Sequence, residues 1–103
     1  MDYTLIFKAL SNEIRLQMLQ WLKEPDVHFP KNSGTSADPE FTDGVCVGKI
    51  QDKAGLSQST TSQYLSLLQR AGLLEAKRVG QWTYYRRNQE TLRQLSDWIG
   101  KEL

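Results

Sequence analysis

Apolar residues recur along the chain in two different periods, and the change from one to the other outlines its elements. Tyr3, Ile6, Phe7 and Leu10 stand at i, i+3, i+4 and i+7, one stripe along a short helix. A helix that short is not stable alone, so the stripe must lie against the rest of the domain or against a second subunit. Ile14, Met18, Leu19 and Leu22 repeat the helical period; Ser11 or Asn12 stands where an N-cap belongs, and Pro25 supplies the stop. Residues 25–44 then lose all period. They hold all three prolines and read as an insertion between helices, into which Val27, His28, Phe29 and Phe41 bring some apolar surface.

Helical spacing returns over residues 45–54, where Val47, Ile50 and Ala54 give an inner face. Gly55 suits a left-handed turn, in which a Cβ is disfavoured, and Ser57 is placed to cap the next helix. From Gln58 onward, Thr61, Leu65, Leu68 and Gly72 trace one face. On the other side Gln58, Ser59, Thr60, Ser62 and Gln63 make a compact, uncharged surface of hydrogen-bonding groups. The period then shortens to that of a strand. Residues 73–77 and 82–85 flank a turn at Val79-Gly80-Gln81 and form a hairpin that closes on Arg86 and Arg87. Asn88 can cap a last helix with the stripe Leu92, Leu95, Trp98 and Ile99. Helix, tight turn, helix, hairpin is the order of a winged helix-turn-helix. The pattern predicts a mainly α chain with a small β-hairpin, about five helices and a two-stranded wing, as a single domain over 1–103 carrying the 25–44 loop insertion.

Composition narrows the function classes. With 39% hydrophobic and 24% charged residues and no long apolar run, the chain reads as globular, with neither a membrane span nor a secretory signal. One cysteine excludes an internal disulfide framework, and the expected compartment is cytoplasmic. The net charge of +1 is unevenly spread. Residues 1–44 hold 4 Lys/Arg against 7 Asp/Glu, whereas residues 45–103 hold 9 against 5. Arg70, Lys77, Arg78, Arg86 and Arg87 concentrate positive charge around the hairpin, as phosphate binding requires. A helix that reads the major groove needs short donors and acceptors pointing outward, and Gln58, Ser59, Thr60, Ser62 and Gln63 supply them. Arg78, Gln81, Arg86 and Arg87 suit the duplex backbone. Trp82, Tyr84 and Tyr85 read as packing residues of the hairpin. No glycine-rich nucleotide loop is present, and the lone Cys46 and His28 lack a third orienting group, so an enzyme is not expected.

These residues resemble a known family. LSQSTTSQYLSLLQRAGLLEAKRVGQWTYYRR, from Leu56 to Arg87, is similar to the helix-turn-helix and wing of the ArsR/SmtB repressors; KALSNEIRLQMLQWL and GVCVGKI resemble the segments before it. The resemblance implies a homodimer built from the first and last helices, through Tyr3, Ile6, Phe7, Leu10, Leu92, Leu95, Trp98 and Ile99. It also implies a repressor of a near-palindromic double-stranded DNA operator, released by an inducer. Thiophilic-metal sensors of that family carry Cys-Val-Cys where this chain has Cys46-Val47-Gly48, and residues 89–103 contain no His. One Cys and one His do not close a zinc site, so no metal and no cofactor are expected. The inducer is then an unidentified small molecule or a redox signal, with Cys46, at a helix N-terminus, as the candidate redox switch and simple packing as the blander role. The alternative to a DNA-binding regulator is a winged-helix protein–protein interaction module.

Overall fold

The computed structural model describes residues 1–30, 36 and 38–103. Among them the elements run α1 (Tyr3–Leu10), α2 (Glu13–Lys23), α3 (Pro25–His28), a 3-10 turn (Pro39–Phe41), β1 (Val45–Cys46), α4 (Val47–Ala54), α5 (Gln58–Arg70), β2 (Leu74–Val79), β3 (Trp82–Arg87) and α6 (Gln89–Glu102). Four of the helices described, α1, α2, α5 and α6, start where a side chain serves the unpaired N–H groups of the first turn. Asp2 accepts from the Leu5 N–H, Asn12 from Arg15, Ser57 from Thr60 and Asn88 from Thr91. Of the two cap candidates before α2, Asn12 is the one used.

Among the described residues six helices stand where about five were expected, because Pro25 both stops α2 and opens the single turn α3: a proline costs nothing at the first helical position. Residues 45–54 are not one helix. Val45 and Cys46 form β1, which pairs antiparallel with Tyr85 and Tyr84, and α4 begins at Val47. The wing is therefore part of a three-stranded sheet of order β1-β3-β2. A two-residue strand leaves no period to detect; it exists because β3 offers it an edge. Within the expected 25–44 loop the described residues include α3 and the 3-10 turn; residues 31–35 and 37 lie outside the described residues.

The core sits between α1, α2, α4, α5 and the inner face of the sheet. Ile6, Met18, Val45, Ile50, Leu65, Leu68 and Leu73 are fully buried, and Leu95 of α6 joins them. Two glycines make the sharp reversals that bring these faces together. Gly55 ends α4 at φ 68, and Gly80 turns the hairpin at φ 63, both left-handed values that L side chains avoid. The Val79↔Trp82 pair leaves Gly80-Gln81 as a two-residue loop. Arg15 locks α1 to α2, donating through Nε to the Ala9 carbonyl at 2.8 Å and through Nη2 to Lys8 at 3.2 Å.

Candidate nucleic-acid interface

The two faces of α5 do opposite things. Thr61, Leu65 and Leu68 are buried against the core, which fixes the helix axis. Thr61 hides its hydroxyl by donating it to the Ser57 carbonyl at 2.8 Å. On the opposite side Gln58, Ser59, Ser62 and Gln63 are exposed, and Thr60 is half-buried. Thr60 belongs partly to the cap, since its Oγ1 accepts from Ser57 Oγ at 3.0 Å. The fold thus brings together on one helix the five groups expected to face DNA.

On the wing, Arg78 and Gln81 are exposed near the hairpin tip and Arg87 is half-buried at its base. Arg78 Nε donates to the Gly80 carbonyl at 3.3 Å, which steadies the tip. Arg86 does not join them. Its Nε donates to Glu75 at 3.2 Å, its Nη1 donates to the Glu40 carbonyl at 2.9 Å and approaches Asp43 at 3.5 Å, and its guanidinium lies 4.2 Å over the Phe41 ring. Burial pulls its pKa down, and the hydrogen bond and charge of Glu75, joined by Asp43, outweigh that and leave it above the ordinary arginine value. Two of the Arg86 nitrogens, Nε and Nη1, are thus engaged inside the molecule, Nη1 on partners 43 and 46 residues away in sequence, which sets Arg86 apart from the exposed wing residues Arg78 and Gln81. Lys77 is likewise paired, with Asp38 at 2.5 Å, and that hydrogen bond holds the Asp38 carboxyl below its ordinary pKa.

The stripes expected to meet a second subunit are divided by the fold. Ile6 and Leu95 are buried within a single chain, so both belong to its own core rather than to an outer face. Tyr3 stacks on Trp98 at 3.8 Å, Leu10 and Leu92 pack against the core edge, and Phe7 and Ile99 remain 40% and 39% exposed.

Cys46 is buried beside Val45, in the wall of a cavity of about 410 Å³ lined also by Gly48, Lys49, Gln51, Asp52, Trp82 and Tyr84. A Cβ on Gly48 would meet nothing within 4 Å, so the missing second sulfur leaves open space there. Among the described residues no three His, Cys, Asp or Glu side chains cluster closely enough to hold a metal ion. No helix described is long and apolar enough to cross a membrane.

A helix anchored by its inner face, presenting short polar groups beside an arginine-bearing hairpin, defines a winged helix-turn-helix transcriptional regulator. Residues 45–76 match the family described as "Bacterial regulatory protein, arsR family". A Bacillus subtilis (strain 168) protein, described as the uncharacterized HTH-type transcriptional regulator YbzH, is 53% identical over 98 residues, 95% of each chain. A Halobacterium salinarum protein described as the putative arsenical resistance operon repressor ArsR2 is 31% identical over 84% of this chain and 59% of its own length. Among solved structures, that of Mb0332 from Mycobacterium bovis, described as a homodimeric winged helix-turn-helix DNA-binding domain, has a TM-score of 0.66 at 28% identity, covering 95% of this chain and 74% of that one. The chain belongs to the ArsR family of transcriptional regulators.

Proposed function

We propose that this chain is a cytoplasmic homodimeric repressor that binds a near-palindromic DNA duplex. Gln58, Ser59, Thr60, Ser62 and Gln63 enter the major groove, and Arg78, Gln81 and Arg87 hold the backbone. The observation that carries the reading is the exposed, uncharged outer face of α5 next to exposed Arg78. Such a face lets sequence be read by hydrogen bonds while the wing supplies the charge. The Mycobacterium bovis domain, homodimeric and DNA-binding by its own description, supports the paired arrangement. Two half-sites are then read about one helical turn, roughly 10 bp, apart.

Release from DNA is assigned to a signal that is not a metal ion. The cavity between α4 and the sheet offers room for a small-molecule inducer. Oxidation of the Cys46 thiol in its wall is the redox form of the same signal, although burial of Cys46 favours a packing role. A gel-shift against the DNA upstream of the protein's own gene tests the reading. Gln63→Ala should lose about 1–3 kcal/mol of discrimination at the base it contacts. Arg78→Ala should weaken all sequences alike and lower the salt slope by about one per protomer. Wild-type protein that retains no duplex, or retention that does not respond to salt, rules the proposal out. Cys46→Ser that still releases DNA on peroxide treatment removes Cys46 from the switch.

A further inference from the structure

Directly opposite residues on neighbouring strands share one side of a sheet. The pairs Glu75↔Arg86, Lys77↔Tyr84 and Cys46↔Tyr84 therefore put Glu75, Lys77, Arg86 and Cys46 on one face, while Arg78↔Thr83 and Leu74↔Arg87 put Arg78 and Arg87 on the other. Residues 38–44 lie across the first, outer face. They are anchored on β2 by the Asp38–Lys77 pair and on β3 by the bonds from Arg86 to Glu40 and Asp43. Phe41 is pressed under the Arg86 guanidinium and is only 5% exposed. The segment also holds its own shape: the Phe41 N–H donates to Asp38 at 2.9 Å, that of Gly44 to Phe41 at 3.0 Å, and that of Ser36 to Gly44 at 3.1 Å. A Cβ on Gly44 would strike the Phe41 ring, so glycine is what lets the ring lie flat.

A two-stranded ribbon is marginal on its own and twists readily. β1 pairs with β3 only at Tyr84 and Tyr85 and is not paired with the edge strand β2. Residues 38–44 bridge β2 and β3 instead, and their Lys77 anchor adjoins Arg78. We propose that residues 38–44 are a strap that sets the angle of the wing against DNA, with Arg86 as its positioning residue. The strap also sorts the wing's charges. It neutralises the outer cations Lys77 and Arg86 and leaves Arg78 and Arg87, on the other face, for phosphate. This rests on the DNA-binding reading above.

The test separates positioning from charge. Asp38→Lys adds positive charge, so electrostatic attraction alone predicts tighter DNA binding. The strap predicts binding weaker by about tenfold, the size of one lost network coupling. Combining Asp38→Lys with Lys77→Asp restores the pair in reverse at the original net charge, without the bond from the Glu40 N–H to the Asp38 carboxylate, and should recover most of the lost affinity. Gly44→Ala, which alters no charge, should weaken binding as the single exchange does. A second measurement needs no DNA: amide hydrogen exchange over residues 74–87 should quicken in Asp38→Lys and in Gly44→Ala and recover in the double exchange. Tighter binding by Asp38→Lys, no rescue by the double exchange, or unchanged wing protection in both disrupted variants overturns the strap. Wild-type protein that fails to bind duplex DNA overturns the DNA-binding reading, and amide exchange then decides the strap by itself.

Discussion

Thr61 stands in a helix face otherwise made of leucines, and its hydroxyl is the single polar side-chain group that α5 sends into the core. The cost of burying it is met locally, because the Ser57 carbonyl one turn earlier accepts both the Thr61 N–H at 3.0 Å and the hydroxyl at 2.8 Å. Replacing the hydroxyl by a methyl leaves that carbonyl paired with the N–H. Thr61→Val is therefore expected to shift stability by no more than about 1 kcal/mol, read from urea unfolding midpoints, with DNA binding intact. A larger loss means that the hydroxyl holds the cap of α5 rather than merely being tolerated. Arg86 is the opposite case. By residue type it is as good a phosphate ligand as Arg78, and its role is decided by Glu75, Glu40, Asp43 and Phe41 around it. No local signal in the sequence marks that difference, since three of its four partners, Glu40, Phe41 and Asp43, arrive from a loop without period.

At the scale of elements, the angle between α4 and α5 depends on one turn. Gly55 takes φ 68 with open space where a Cβ would stand, so the conformation itself is what requires glycine there. Gly55→Ala should cost about 1–2 kcal/mol in thermal or chemical unfolding through backbone strain alone. It should leave the polar face of α5 chemically unaltered, so any loss of DNA affinity beyond the fraction unfolded reports a changed angle between the helices. A stability equal to that of wild type refutes the assignment of strain to this turn. The hairpin was legible for a similar reason: Gly80 and the run of β-branched and aromatic residues after Gln81 announce it. β1 was not legible, because two residues have no period and acquire strand geometry only by pairing with β3.

For the whole molecule, the question is what covers Phe7 and Ile99. Ile6 and Leu95 are already inside the chain, and Tyr3 and Trp98 partly shield each other by stacking. Phe7, 6.2 Å from the Trp98 ring, and Ile99 remain as apolar groups on the α1–α6 side. If that side joins two copies, Phe7→Glu together with Ile99→Glu should give a monomer by sedimentation, with helical content largely kept and affinity for a two-half-site operator lost. A double variant that sediments like wild type moves the dimer contact elsewhere. The sequence alone determined the order of the main elements, the caps Ser57 and Asn88, the Gly55 and Gly80 turns and the polar face of α5. These are set by residues within a few positions of one another, through helical period, cap geometry and positive φ. Tertiary structure decided which stripe residues are core, that Val45 and Cys46 are strand, and that Lys77 and Arg86 are paired rather than free. Those outcomes depend on groups distant in sequence meeting in space, where burial and charge pairing override what each residue type would do alone.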